Sequence, residues 1–232
     1  MSHLFDLEPE FLELYELCRE QTMTSIERMY ALYTATRYVV DAALPGDFVE
    51  CGVWRGGSMM LAALTLLRLG DDTRTLWLYD TFDGMTAPGP EDVQEMSGIA
   101  ASDILAQHPK SADDPFWGCA SREAVERNLR STRYPAERIR FVAGDVLSTL
   151  PNEAPDEVAL LRLDTDWYSS TRHELKQLYP RLTAGGVLIV DDYGYWRGAR
   201  KATDEYLATR SVRPLLHRVD YTGRVCVKPR EE

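Results

Sequence analysis

The stretch Val158-Ala-Leu-Leu-Arg-Leu-Asp-Thr-Asp166 decides the fold, and a second stretch of the same design, Gly186-Val-Leu-Ile-Val-Asp-Asp192, supports it. Each is a short apolar run that ends in a pair of aspartates. Short apolar runs bounded by turn-forming and polar residues predict buried parallel strands. Because such strands place their ligand-binding loops at their C-terminal ends, we expect both acid pairs to face one crevice.

The rest of the chain alternates between strand-length apolar segments and segments with helical periodicity. We predict an α/β fold with a Rossmann-like, mostly parallel sheet that finishes in an antiparallel C-terminal strand. The predicted strands are 47–50, 75–79, 140–142, 158–163, 187–190, 215–219 and 224–227, and the predicted helices are 8–19, 25–43, 58–69, 122–130, 171–179 and 197–208.

In chain order we predict two parts within a length of 232 residues. Residues 1–44 form an N-terminal helical segment that caps the sheet or builds a dimer surface, and residues 45–232 carry the sheet. Within the second part, residues 83–121 are rich in Pro, Gly, Asp and Ser and show little periodicity. Long irregular insertions are usually functional, so we expect a lid here.

The composition excludes several classes of protein. A formal charge of −11 argues against nucleic-acid partners, which require a cationic surface. We expect no membrane association and a cytoplasmic protein, because no apolar stretch approaches the roughly 20 residues of a membrane span and the N-terminus is acidic rather than basic and apolar. The four cysteines form no CxxC pair and the four histidines are not grouped, which disfavours a zinc site or a disulfide framework.

The four aspartates of the two strand ends, Asp164, Asp166, Asp191 and Asp192, favour a metal site. Crowded carboxylates repel one another and their pKa values rise, unless a hard divalent cation takes their oxygens as ligands. We therefore predict an Mg²⁺-type site of carboxylate oxygens. The alternative is that these acids are helix caps and turn formers, as aspartates at strand ends often are.

The stretch Glu50-Cys-Gly-Val-Trp-Arg-Gly-Gly-Ser58 follows the first predicted strand and favours a nucleotide-like ligand at a glycine turn. Its spacing departs from G-x-G-x-x-G, which weakens a dinucleotide interpretation and favours S-adenosylmethionine. We expect Asp80 to bind ribose hydroxyls, Phe82 to stack on adenine, and Gly144 with Asp145 to reach the adenine edge. The alternative is that these are ordinary turn residues.

Taken together, four stretches resemble the macrocin O-methyltransferase family, which methylates hydroxyls of deoxysugars and related groups on natural products. They are Pro45-Gly-Asp-Phe-Val-Glu-Cys-Gly-Val-Trp-Arg-Gly-Gly57 with its glycine turn, Tyr79-Asp-Thr-Phe-Asp-Gly84, Leu161-Arg-Leu-Asp-Thr-Asp-Trp-Tyr168, and 179–193 with its Asp-Asp-Tyr ending. Thr22-Met23 resembles a family segment that closes over the cofactor. The resemblance implies a class I methyltransferase sheet, S-adenosylmethionine as methyl donor, Mg²⁺, and often an oligomer, here a homodimer, with a lid over the acceptor.

Carried over by position, the resemblance implies that Asp164, Asp191 and Asp192 bind the metal. Asp164 or Asp166 matches the catalytic base, and we prefer Asp166 because its side chain should point a different way. The expected acceptor is a small hydroxylated molecule, in particular a deoxysugar of a glycosylated natural product. The predicted cofactor-binding residues are Glu50, Cys51, Gly52, Val53, Gly56, Gly57, Ser58, Asp80, Thr81, Phe82, Gly144, Asp145 and Asp164.

Other residues have a functional and a structural interpretation. His173 is a second candidate base, although a packing role on its helix is the simpler interpretation. The basic residues at the start of the last predicted helix contact the acceptor or the acids, or form a solvated basic helix face; they are Arg197, Arg200 and Lys201. Four aromatic residues near the acid pairs either form a wall for the acceptor or belong to the core: Tyr168, Tyr193, Tyr195 and Trp196.

Three other functions compete with this interpretation. An NAD-dependent sugar oxidoreductase or epimerase shares the α/β alternation, but the chain lacks its glycine fingerprint and a Tyr-x-x-x-Lys pair. A catechol-type O-methyltransferase would use the same ion, but a lysine is expected just after the first acid, where this chain has Trp167-Tyr168. A non-enzymatic nucleotide-binding module would bind an adenosine group without turnover.

Overall fold

A computed structural model describes residues 6–111 and 116–230. Within those residues, seven strands form one sheet. In chain order they are β1 Asp47–Cys51, β2 Leu76–Asp80, β3 Ile139–Ala143, β4 Val158–Leu163, β5 Leu182–Val190, β6 His217–Arg218 and β7 Arg224–Val227.

The spatial order of the sheet is β3-β2-β1-β4-β5-β7-β6. Strands β1 to β5 pair in parallel, whereas β7 runs antiparallel to both β5 and β6. The predicted fold class, with its mostly parallel sheet and antiparallel finish, is confirmed. Strands β2 and β3 lie on one side of β1, and β4 and β5 lie on the other. The C-terminal ends of β1 and β4 therefore flank the crevice where α/β folds bind ligands.

Helices cover both faces of the sheet. They are α1 Pro9–Cys18, α2 Ile26–Asp41, α3 Gly57–Arg68, α4 Ala101–Ala106, α5 Arg122–Ser131, α6 Val146–Thr149, α7 Tyr168–Leu178 and α8 Arg197–Ala208. Along β4, Leu160 packs into the layer of α1, α2 and α3, and Leu161 packs into the layer of α7 and α8. A strand buried on both faces is apolar at every position rather than at alternate ones.

The N-terminal helices belong to the same apolar layer as the sheet. Phe11 of α1 and Tyr33 of α2 are fully buried and lie in one cluster with Phe48 of β1 and Leu61 of α3. The helical content predicted for residues 1–44 is present in the described part, and the division at residue 44 stays a prediction. None of the helices in the described residues is long and apolar enough to span a membrane.

Two strands differ from the sequence prediction by more than one residue at an end. Strand β5 starts at Leu182 rather than at Val187, because the buried Leu182 pairs with Val158 and carries the strand through a glycine pair that resembled a turn. Strand β6 is limited to two residues of the predicted 215–219, since Leu215 is 87% exposed and follows a proline that cannot donate to a ladder.

The predicted lid segment is described at 83–111 and 116–121, and its remaining residues lie outside the described part. It contains the short helix α4, which the sequence did not predict, and an isolated bridge between Val93 and Ala100. A second bridge joins Gln94 to Trp196, just before α8. The insertion is therefore attached to the sheet's C-terminal edge, and its role as a lid stays a prediction.

Candidate active site

A cavity of about 390 Å³ lies at the C-terminal ends of β1, β2, β4 and β5. Its wall combines residues from the strand ends, from 21–24 before α2, and from the insertion. The sequence-predicted site residues that line it are Gly52, Val53, Ser58, Asp80, Thr81, Gly144, Asp145, Asp164, Asp166, Asp191 and Asp192.

Asp80 organises the glycine turn. Its Oδ2 accepts the backbone N–H groups of Val53 (2.8 Å) and Trp54 (3.1 Å), and its Oδ1 accepts that of Phe82 (2.8 Å). Burial raises the pKa of Asp80, and these backbone hydrogen bonds oppose the rise. The carboxylate therefore fixes the turn on which a ligand would rest, while a contact to ribose stays a prediction.

Gly52 is required where β1 approaches β4. Its φ is +81°, and a Cβ at this position would lie 2.1 Å from the Asp164 backbone oxygen. A side chain would push the two strand ends apart. Gly52 thus allows the glycine turn to lie directly beside Asp164, the first acid of the candidate metal site.

Five predicted cofactor residues lie outside the cavity lining. Glu50 is buried behind the wall, where Arg162 donates to it, and the Phe82 ring packs against Phe141 rather than facing the cavity. Gly57 starts α3 against the Gln21 carbonyl, so its small size serves the packing of that helix. Cys51 and Gly56 are likewise buried behind the turn. Direct cofactor contact by these residues stays a prediction.

Asp164, Asp191 and Asp192 converge at the ends of β4 and β5. One carboxylate oxygen from each lies within 4.8 Å of the others, the spacing of a potential metal site. Burial raises the pKa values of Asp164 and Asp192 well above the ordinary range, and neighbouring carboxylates reinforce the rise. Oδ2 of Asp192 is buried without a hydrogen-bond partner among the described residues. Such an orphaned oxygen fits a cation ligand.

Two arginines that sequence analysis passed over lie among these acids. Arg162 of β4, whose side chain is 3% exposed, donates to Asp164 (2.7 Å), Asp191 (2.6 Å) and Glu50. Arg28 of α2 pairs with Asp191 as well. Carboxylate repulsion is therefore relieved in part by guanidinium groups, so crowding alone is a weaker argument for a metal than the sequence indicated. The available sequence signal was Arg162 itself, a single charged residue within the apolar β4 segment, because a buried charge requires partners.

Asp166 lies beside the triad with a different orientation. Its backbone is left-handed, with φ +66°, and the Trp196 indole N–H donates to its Oδ1 at 2.9 Å. Burial, followed by the charge of Asp164, raises the pKa of Asp166 to about 8. A carboxylate with a pKa near neutrality can accept a proton at working pH.

The part of the cavity beyond Asp166 is apolar. Trp167 and Trp196 meet edge to face with their ring centres 5.1 Å apart. Residues of the insertion continue this surface, which we call the apolar chamber; with the two tryptophans it consists of Met85, Ala101, Ile104, Leu105, Phe116 and Tyr195. Of the four predicted aromatic residues, Tyr195 and Trp196 line the cavity, whereas Tyr168 and Tyr193 bond to acids of α8 away from it.

The remaining candidates lie elsewhere. His173 is half-buried on α7, and its Nε2 contacts the Leu150 carbonyl at 3.2 Å, which is the packing interpretation. Arg197 donates to Glu95 of the insertion at 2.8 Å, and Lys201 pairs with Glu91. Arg200 also lies near Glu95. The basic start of α8 thus holds the insertion rather than facing the acids.

Glu174 of α7 is a further residue of the site that was not predicted from the sequence. It is completely buried, and its Oε1 accepts the Thr165 hydroxyl at 2.8 Å. Thr165 stands between Asp164 and Asp166 and lines the cavity. Glu174 therefore holds residues 164–166 in place through the Thr165 hydroxyl. The available sequence signal was its position on the buried side of α7.

Comparison with known proteins agrees with this geometry. A family model described as macrocin-O-methyltransferase (TylF) matches residues 18–228. Demethyldecarbamoylnovobiocin O-methyltransferase of Streptomyces niveus is 35% identical over 87% of this chain and 73% of its own, and mycinamicin III 3''-O-methyltransferase of Micromonospora griseorubida is 30% identical over 87% and 76%. The structure of the O-methyltransferase NovP, 34% identical, superposes with a TM-score of 0.78 over 90% of this chain and 83% of that one. CalS11, a calicheamicin methyltransferase, is 18% identical with a TM-score of 0.65 over 95% and 93%, and shows the fold alone.

The fold and the site define the class: the protein is an S-adenosylmethionine-dependent O-methyltransferase with a class I sheet. Within that class, the chain belongs to the macrocin O-methyltransferase family. The resemblance inferred from the sequence is thereby confirmed. Membership sets aside the oxidoreductase and the non-enzymatic binding module as interpretations.

Proposed function

We propose that this protein transfers a methyl group from S-adenosylmethionine to a sugar hydroxyl, in particular that of a deoxysugar, on a glycosylated natural product, with Mg²⁺ at the active site. The observation that carries the proposal is the position of the acids: three converging carboxylates and Asp166 lie between the glycine turn and the apolar chamber. A donor at the turn and an acceptor in the chamber would meet at these acids.

The methyl donor fits the end of the cavity formed by β1, β2 and β3. Gly52 and Val53 offer the turn, Asp80 and Thr81 follow β2, and Asp145 follows β3. S-adenosylmethionine carries a positive sulfonium and an ammonium group, which a wall rich in carboxylates attracts. When bound, it supplies an electrophilic methyl group that an oxygen in line with it can displace.

Asp164, Asp191 and Asp192 would hold Mg²⁺, since their oxygens are the hard ligands that this cation prefers. The ion would supply Lewis acidity that makes a neutral hydroxyl more acidic. Asp166 would accept the hydroxyl proton, because it lines the cavity beside the triad and the Trp196 indole N–H fixes the position of its Oδ1. The apolar chamber excludes water from this proton transfer and positions the acceptor.

The charge of the wall favours a neutral or cationic acceptor. Six aspartates line the cavity, and the one cationic lining residue within the described part, Arg28, is already paired with two of the protein's acids. A nucleoside diphosphate on the acceptor would meet carboxylates with no unpaired cationic side chain in the described lining to balance it. We therefore favour an assembled glycoside over a nucleotide-activated sugar.

The test is a methylation assay with S-adenosylmethionine carrying a labelled methyl group, run against neutral glycosides with free sugar hydroxyls and against nucleotide-activated sugars, with and without Mg²⁺. We expect label on a sugar oxygen of a glycoside, at a rate that falls on chelation. Label on an aromatic diol in preference to every glycoside would favour the catechol-type alternative instead. Homodimer assembly and a cytoplasmic location are further proposals, which rest on the sequence and the family resemblance.

A further inference from the structure

The carboxylate of Asp191 is engaged on both sides by guanidinium groups. Arg162 donates to its Oδ1 at 2.6 Å, and Arg28 pairs with its Oδ2. The Asp191 side chain is only 4% exposed, so water replaces neither partner easily. Of the three candidate ion ligands, Asp191 is thus the one that pairs with two guanidinium groups, whereas Asp164 pairs with Arg162 alone.

The two arginines differ in how they are held. Arg162 lies next to the C-terminal end of β4 and also bonds to Glu50, Asp164 and, at 2.9 Å, the Thr24 hydroxyl. Arg28 enters from the first turn of α2 and lines the cavity itself. Its second partner is Asp220, 3.1 Å from Nε, outside the ion triad.

Arg28 belongs to the same cavity wall as the whole triad. It lines that wall together with Asp164, Asp191 and Asp192, and it pairs with Asp191 and Asp220. A cation in the triad would feel the same guanidinium as a repulsive charge, and repulsion within a few ångströms in a partly buried site is strong. The ion and Arg28 therefore compete for the carboxylate of Asp191.

We propose that Arg28 is a built-in cation of this site, which holds Asp191 when no divalent ion is bound and thereby weakens and tunes the binding of that ion. The proposal rests on the ion assignment of the proposed function and adds a residue that the assignment does not contain. It also explains how the fold carries buried, crowded acids before an ion binds: a guanidinium from α2 neutralises one of them.

The experiment is a titration of Mn²⁺ into the full chain without methyl donor or acceptor, followed by the electron paramagnetic resonance signal of free Mn²⁺. The variants are Arg28→Gln and Arg28→Met, which are neutral, and Arg28→Lys, which keeps the charge. The matched control is Arg37→Gln, because Arg37 also lies on α2 but pairs with Glu8, away from the cavity. Thermal unfolding with and without Mn²⁺ monitors the fold.

We expect the neutral variants to bind Mn²⁺ about tenfold or more tightly than wild type, because a repelling charge is removed. Arg28→Lys and Arg37→Gln should bind like wild type. Mn²⁺ should also raise the unfolding temperature of the neutral variants more than that of wild type, which keeps the test decisive where a variant is less stable on its own.

Equal or weaker Mn²⁺ binding by a folded neutral variant, with wild type still binding, would overturn the role of Arg28 and leave the ion assignment standing. Failure of wild type and every variant to bind Mn²⁺, with S-adenosylmethionine still bound, would remove the ion assignment and the inference with it. The two failures are therefore distinguishable.

Discussion

Glu174 shows how a single buried carboxyl can support an active site and make the fold sensitive to pH. Burial raises its pKa from 4.5 to about 8, while the hydrogen bond from Thr165 opposes the rise. The native state therefore retains a proton that the unfolded chain loses above pH 4.5. The stability that this group contributes is full below that pH and is lost as the pH rises through about 8.

We expect Glu174→Gln to remove this dependence. The amide stays neutral and can still accept the Thr165 hydroxyl, so the variant should gain stability relative to wild type as the pH rises from 5.5 to 8.5. Denaturant unfolding at several pH values measures the difference. Parallel stability curves for the two proteins would show that Glu174 is not held protonated.

Asp166 is the residue on which the proposed proton transfer depends. Asp166→Asn keeps the size of the side chain but cannot accept the acceptor's proton, so we expect kcat to fall by about 10² or more. Binding of S-adenosylmethionine, measured by calorimetry, should change little. Asp103→Asn, on the exposed side of α4, is the control for a lost charge. A kcat within threefold of wild type would assign the base to another residue.

At the residue scale, the acids of the site were predictable from the sequence, but the cations among them were not. Asp164, Asp166, Asp191 and Asp192 were predictable because their strands end at one edge of a parallel sheet. Arg28 could not be predicted, since its partner Asp191 lies 163 positions away and nothing in the helical pattern of α2 marks it. Such long-range pairings exist only once the chain is folded.

The position of the insertion depends on close contacts that its residue Asp92 makes with α7 and α8. Asp92 is buried, and it accepts the N–H groups of Tyr168, at the start of α7, and of Gly89, each at 2.7 Å. Gly198 of α8 packs on this carboxylate so closely that a Cβ would lie 1.9 Å from its Oδ1. One acid thus ties the insertion to two helices that flank the candidate base.

We expect Gly198→Ala to displace the Asp92 carboxylate and to cost about 1–3 kcal/mol of stability, the usual cost of overpacking. Cleavage by protease within the insertion should become faster. Gly89→Ala is the matched control, because a Cβ there meets its neighbours at 3.4 Å or more. An unchanged unfolding temperature for Gly198→Ala would contradict this account of the contact.

At the element scale, the periodic segments were predictable and the irregular one was not. Helix α8 was predicted with the bounds it has, because apolar and small residues recur on its buried side. The attachment of the insertion, including α4 and the bridge from Gln94 to Trp196, depends on contacts with α7 and α8 that no local pattern encodes. Prolines and glycines identified the segment as irregular but did not say where it packs.

At the scale of the whole molecule, the order of the sheet determines where the acidic residues of the site lie. The chain carries a net charge of −11, and six aspartates line its cavity, of which four end the strand pair that decides the fold. The parallel order of β1 to β5 concentrates them at one edge, so the same topology builds the sheet and the electrostatic character of the site. A ligand with positive charge is favoured at this edge and a polyanion is not.

The measurement that tests this account most directly is a calorimetric titration of the protein with S-adenosylmethionine, and in parallel with NAD. The account predicts one-to-one binding of S-adenosylmethionine with a Kd on the order of micromolar, about −8 kcal/mol, and no binding heat with NAD. Binding of NAD, or of neither molecule, would contradict the assignment of the glycine turn and the acidic cavity to a methyl donor.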